Sequence, residues 1–303
     1  MIAAMVDDAL WPRAASWLCE APAGPGERVD LALLGVPAHA TSLSPTGAQH
    51  TPAAVRAALS RYGTWAYGGG VDLAGTRAVD LGDVTDPDAD EGRTRSLAGA
   101  AAQRARLVVA LGGDNSVTYA VARGVLGEEL ERAGLVTLDA HHDLRDGVSN
   151  GSPVRRLVEA GLDPRRVAQV GIADFSNSPA YAARARDWGI AVHTRQEVAE
   201  RGMGAVLAAA LATAASGGGP VYVDVDVDVC DRSVAPGCPA SAPGGLSAWE
   251  LRQAARIAGS HPAVRGLDVT EVDATSDSPD GRTVRLAALV VLEVAAGLAA
   301  RTG

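Results

Sequence analysis

Short apolar runs bounded by turn residues recur along this chain from residue 29 onward: VDLALLGV, AVDLGDV, RLVVALGG, GLVTLDA, RVAQVGI, IAVHT, PVYVDVDVDV and VRGLDVTEV. Their continuity predicts strands buried on both faces, since a half-exposed strand alternates apolar with polar positions. Between most of them lie segments with helical spacing, among them PAAVRAALSRY, TRSLAGAAAQRA, PVRRLVEAG, PAYAARARDWG, EVAERGMGAVLAAALATAAS and SAWELRQAARIAG; TVRLAALVVLEVAAGLAAR closes the chain. This alternation predicts an α/β fold, a three-layer αβα sandwich whose parallel sheet has about eight strands. One domain is expected over residues 1–303, with an N-terminal extension rich in Ala, Gly and Pro over 1–27.

In such sheets ligands bind beyond the carboxyl ends of the strands. The polar clusters stand at those ends: Gly-Gly-Asp-Asn after VVAL, Asp-Ala-His-His-Asp after LVTL, the aspartates after PVYV, and Glu271 after GLDVT. In an extended strand end, residues i, i+2 and i+4 share a face, so Asp139, His141 and Asp143 project together. Two carboxylates and an imidazole on one side suit a divalent ion. A solvated turn also collects Asp and His, but here an apolar strand leads directly into the cluster. The run Asp224, Asp226, Asp228, with Asp231 beyond it, places like charges on one face of a strand expected to be buried. Uncompensated, that burial costs several kcal/mol per charge, and a cation is the simplest compensation. Two acid-rich strand ends supply about six ligands, enough for two metals with bridging carboxylates.

Charge and composition narrow the class. The 303 residues are 47% hydrophobic and 21% charged, as in ordinary globular proteins. Lys and Arg total 27 against 36 Asp and Glu, a net charge of -9 that argues against nucleic acid as a partner. The three cysteines, Cys19, Cys230 and Cys238, form no CxxC pair, which disfavours a disulfide framework and a thiolate metal site. The first residues lack a basic region before an apolar run, and no stretch of about 18 apolar residues occurs. A cytoplasmic protein without membrane insertion is expected.

Four ordered motifs give a specific resemblance: Gly-Gly-Asp-Asn-Ser at 112–116, Asp139-Ala-His141-His-Asp143, Asp226-Val-Asp228-Val-Cys-Asp231 with Ala-Pro-Gly and then Pro243-Gly-Gly after it, and Glu271. With SPTGAQHTPAAVR near the start, they resemble the ureohydrolase family, which includes arginase, agmatinase and formimidoylglutamase. The resemblance spans roughly residues 30–300. It implies two manganese ions, one held by Asn115, Asp139, Asp143 and Asp226, the other by Asp139, His141, Asp226 and Asp228. It further implies a hydroxide nucleophile between the ions, Asp143 as proton carrier, and Glu271 facing the cationic end of the substrate.

Departures from the family pattern point to a branch. Asn115 stands where most members have a histidine ligand, and an amide oxygen is a weaker donor than imidazole. Asn150, in Asn150-Gly151-Ser152-Pro153, replaces a histidine that arginase and agmatinase carry; it cannot shuttle protons, and with Ser152 it is expected to touch the substrate. Asp143-Leu-Arg145 and Gly-Ile-Ala-Asp-Phe-Ser-Asn-Ser at 171–178 are similar to segments of the formimidoylglutamase branch. Arg145 takes a position where arginase has Asn, and its guanidinium suits a carboxylate of N-formimino-L-glutamate. Arg155, Arg156, Arg282 and Arg285 are expected to be surface charges. The rival readings are a guanidino-acid amidinohydrolase or agmatinase, and an inactive member serving as a binding scaffold. The small-molecule substrate is the expected partner; oligomeric state stays open.

Overall fold

A computed structural model of the chain describes residue 8 and residues 10–20 and 27–301. All eight expected strands form: β2 (Val29–Val36), β5 (Ala78–Asp83), β6 (Ala105–Gly112), β7 (Gly134–Leu138), β8 (Val167–Ile172), β9 (Ala191–Thr194), β10 (Val221–Asp226) and β11 (Val264–Thr270). With a ninth strand, β1 (Leu18–Glu20), they lie in one parallel sheet, ordered β1-β5-β2-β6-β11-β10-β7-β8-β9. Strand β1 pairs with β5 and comes from the segment expected to be an N-terminal extension. That expectation is corrected for residues 18–20: three residues are too few to carry a periodicity, yet enough to cap a sheet edge. Much of the remaining extension lies outside the described residues.

Helices cover both faces. Successive strand residues point to opposite sides, so Leu31, Leu33, Leu107 and Val109 pack under α1 (Thr51–Leu59), α7 (Met203–Ala214), α8 (Ala248–Ser260) and α9 (Arg282–Ala299). Leu34, Val36, Ala110 and Leu135 face α3 (Val117–Leu126) and α4 (Pro153–Glu159). Also flanking the sheet are α2 (Glu91–Arg104), α5 (Pro179–Trp188) and α6 (Arg195–Arg201). The long pattern beginning at Glu197 reads as one helix but is two, because Gly202 takes φ 81° and ends α6. Helix α8 starts on a capping box between Ser247 and Glu250. A two-stranded hairpin, β3 (Trp65–Ala66) with β4 (Val71–Asp72), escaped the periodicity because its strands are two residues each.

No single helix among the described residues is long and apolar enough to cross a membrane; α6 and α7 pass by length and composition only as a pair bent by 118°. Most of α7 facing the sheet is buried, as a core helix requires.

Gly113 binds the front of the sheet together. Its N–H donates to Val36 O (2.9 Å) and its carbonyl accepts from Glu271 N (2.9 Å). A Cβ at this position would stand 1.7 Å from Ala38 O, a backbone atom that cannot rotate away. Gly113→Ala is therefore expected to shift the urea unfolding midpoint down by at least the ~1–3 kcal/mol typical of overpacking; an unchanged midpoint would show that this close approach carries no constraint.

Candidate metal centre and active site

The strands β6, β11, β10 and β7 are neighbours in the sheet, and their carboxyl ends bring the four sequence clusters to one place. Asp139, Asp143, Asp226, Asp228 and Glu271 are all buried there, with His141 partly exposed beside them. His141 Nδ1 lies 2.7 Å from Asp228 Oδ2 and 3.5 Å from Asp139 Oδ1. Donor atoms of Asp139, His141 and Asp228 fall within 4.8 Å of one another, so these three could hold one divalent ion. Asp139 Oδ2 is buried with no hydrogen-bond partner, the state expected of an atom built to meet a cation.

Backbone donors fix the carboxylates. Asp139 Oδ1 accepts from His141 N (2.6 Å), Asp226 Oδ1 from Asp228 N (2.8 Å), and Asp228 Oδ1 from Ala140 N (3.1 Å). Glu271 Oε1 accepts from Asn115 N (2.7 Å) and Asn150 Nδ2 (2.9 Å). Asp143 and Glu271 have φ of 53° and 61°, left-handed backbone that is uncommon for residues with a Cβ. Such strain concentrates where function dictates side-chain direction.

The electrostatics fit a cation. Burial, reinforced by Asp228, pushes the Asp139 carboxyl up to about 7. Burial also pushes Glu271 up to about 7, against the hydrogen bonds from Asn150 and Asn115. Asp143 and Asp226 are driven well above the carboxylate range, first by burial and then by repulsion from Asp139 and Asp228 respectively. Burial would lower the His141 imidazole, but its bonds to Asp139 and Asp228 and their charge raise it to about 12. Without a cation the site thus holds protons; divalent ions would replace them, and oxygen donors with one imidazole suit manganese.

Other expected residues behave differently. The Asn115 amide nitrogen donates to Asp143 Oδ2 (2.6 Å), while its oxygen accepts from Thr118 Oγ1 (2.8 Å) and Thr270 Oγ1 (2.9 Å). For the oxygen to meet a metal the amide must turn over, which both threonine hydroxyls permit because they can accept as well as donate. Ser152, expected to touch substrate, is instead wholly buried and bonded to Ser149 N and Ser149 O; it closes the 149–152 turn. Asp231 faces solvent and accepts from Ser233 N and Gly244 N, so it is a turn residue. Asp224 sits one layer beneath the site, level with Thr137 and Asp268 on adjacent strands, where burial and Asp268 favour its neutral acid.

A cavity of about 380 Å³ opens above the carboxylates. Asp143, Asp226, Asp228, His141 and Glu271 line it, as do Arg145, Asn150 and Gly151. Arg145 is exposed and enters no ion pair among the described residues, its stem lying over Gly151, where a Cβ would stand 2.6 Å from Arg145 Cδ. Arg155 and Arg156 are engaged elsewhere, with Glu159 and Glu91. Leu43, Ser176 and Tyr181 also line the cavity. Sequence reasoning did not select them; the polar run after β8 was the available signal for Ser176, and nothing local marked Leu43.

Comparison with known proteins agrees with this geometry. The arginase family model matches residues 29–297. Formimidoylglutamase of Halalkalibacterium halodurans is 36% identical over 293 residues, covering 90% of this chain and 88% of that protein. The crystal structure of formimidoylglutamase from Bacillus subtilis superposes with a TM-score of 0.91 at 30% identity, covering 100% of this chain and 97% of that one. Trypanosoma cruzi formiminoglutamase with Mn2+ superposes at 0.88 with 26% identity, covering 96% of this chain and 100% of that one. The chain belongs to the arginase family.

Proposed function

We propose that this protein hydrolyses the C–N bond of N-formimino-L-glutamate, giving glutamate and formamide, with two manganese ions held by Asp139, His141, Asp143, Asp226 and Asp228 and completed by Asn115. The observation that carries the reading is the free Arg145 guanidinium at the mouth of a cavity whose floor is lined by carboxylates. One end of the cavity attracts a cationic amidine and the other a carboxylate, and N-formimino-L-glutamate has both. Agmatine has no carboxylate, so Arg145 would repel it. The H. halodurans and B. subtilis relatives bear the name of this activity. The buried thiols Cys230 and Cys238 are free, in keeping with the reducing cytoplasm we infer as its location.

When bound, the ions supply the acidity that turns water into a nucleophile at neutral pH. The chain's own groups do the rest. Glu271, held by Asn115 and Asn150, faces the amidinium and orients its carbon. Arg145 fixes the far carboxylate, ordering the substrate along the cavity. Asp143, one of whose oxygens accepts from Asn115, carries a proton from the attacking water to the departing amine nitrogen. The C–N bond then breaks with the amine leaving neutral.

With manganese-loaded protein, hydrolysis of formiminoglutamate is expected in an assay run beside arginine, agmatine and guanidinobutyrate. Arg145→Ala should raise KM for formiminoglutamate by about tenfold or more with a smaller change in kcat, as loss of a charge-assisted bond implies. Preference for a guanidino compound would overturn the substrate assignment.

Asn115→His is expected to raise manganese retained after dialysis toward two ions per chain, because imidazole is the stronger donor. Elemental analysis reads this, and equal retention in both proteins would mean that position 115 holds no metal. The pH response follows from Asp139 and Glu271, both raised to about 7. A carboxyl raised in the folded state stabilises the fold below its unfolded value, about 4, and that contribution is lost as pH rises through its folded value. Metal-free protein should therefore weaken across this window, and the gain in Tm on adding manganese should grow from about pH 5.5 to about pH 8. A constant gain would contradict the protonated site.

A further inference from the structure

Arg155, in the first turn of α4, is expected from its spacing to be a surface charge, yet its side chain is only 11% exposed. A guanidinium carries five N–H donors in a fixed fork. In Arg155, Nη1 bonds Glu159 one turn on, while the rest of the fork turns back over the loop before the helix. There Nε donates to Arg145 O (2.5 Å) and Nη2 to Gly147 O. From the far side, Arg184 of α5 donates through Nη1 to Leu144 O (2.6 Å) and to Asp146 Oδ1 (2.8 Å). The Arg184 Cζ stands 5.6 Å from the centre of the Tyr181 ring and 6.0 Å from that of Trp188, within reach of both π faces.

Residues 143–147 belong to no helix or strand, so their backbone groups must find partners one by one. Arg145 N donates to Gly151 O (3.0 Å), and Asp143 O accepts from Arg155 N (3.2 Å). The two arginines take the carbonyls of Leu144, Arg145 and Gly147. The loop is thereby held on both sides of residue 145, whose side chain lines the mouth of the cavity, whereas neither Arg155 nor Arg184 lines it. Bonds from a charged donor are roughly twice as strong as neutral ones. A loop ordered before substrate arrives leaves only one side chain to immobilise on binding, which spares affinity.

We propose that Arg155 and Arg184 are positioning residues for the substrate: they clamp the backbone around Arg145 and so fix the point from which its guanidinium meets the substrate carboxylate. This rests on the reading of Arg145 as the group that binds that carboxylate. Lysine at position 155 could not replace the fork, since one ammonium cannot span Arg145 O, Gly147 O and Glu159 in the same geometry. The bond from Arg155 N to Asp143 O is made by backbone and survives any change of the side chain other than to proline, so the metal ligands keep their support.

Hydrogen exchange over residues 143–151, read by mass spectrometry, tests the clamp without substrate. Arg155→Met keeps the apolar stem and removes the fork; exchange there is expected to quicken by about tenfold or more, as local opening becomes easier. A double-mutant cycle with Arg145→Ala, assayed on manganese-loaded protein with formiminoglutamate, tests the consequence. Arg155→Met should raise KM by about fivefold with little change in kcat, and should raise it far less when Arg145 is already Ala, as coupling within one network requires. Arg155→Lys should fall between, and manganese per chain should stay at the wild-type level in every variant. Arg184→Met, expected to act in the same direction, decides if Arg155→Met fails to fold. Unchanged exchange, or an equal rise in KM in both backgrounds, overturns the positioning role. Quickened exchange with a KM indifferent to Arg145→Ala shows instead that Arg145 is not the carboxylate's partner, and the proposal falls with that reading.

Discussion

Five carboxylates packed at the ends of three adjacent strands, β11, β10 and β7, cannot all stay ionised without a cation. Asp139, Asp143, Asp226, Asp228 and Glu271 are each buried, and their mutual repulsion is relieved only by protons, by His141, or by metal. The rest of the site follows from that. Backbone amides at the strand ends aim the carboxylates, and two residues accept left-handed backbone to keep their side chains in place. A stable fold would not choose this arrangement for its own sake.

Asn115 shows how finely the same neighbourhood is balanced. Its amide is held by Thr118, Thr270 and Asp143 in one orientation, and by exchange of donor and acceptor the same threonines could hold the other. The side chain thus couples the charge state of Asp143 to the hydroxyl pair behind it. A histidine in its place would have a ring to orient rather than an amide to turn.

Much of this was legible in the sequence because it rests on local spacing. Continuous apolar runs gave the strands, and the spacing of two between Asp139, His141 and Asp143 gave a shared face. What escaped depends on contacts between distant segments or on single residues. Nothing around Gly202 outweighed the apolar periodicity across it, yet its backbone splits one expected helix into two. Ser152 looked available for substrate until Ser149 was seen to use both its bonding capacities. Among the described residues Arg145 has no acidic partner whereas Arg155 and Arg156 are paired with Glu159 and Glu91, a difference set by the fold and not by local spacing.

The order of strands carries a consequence for how the molecule comes into being. Strands β6 and β7 follow one another in the chain but are not neighbours; β11 and β10 lie between them. A chain emerging from its N-terminus therefore makes both walls of the central slot long before the two strands that fill it exist. Until residues 221–270 arrive, each wall offers an open parallel edge with unpaired amides, a template for wrong partners as well as right ones. The last two strands to insert bring Asp226, Asp228 and Glu271 with them, so completion of the sheet and assembly of the site are one event, late in synthesis.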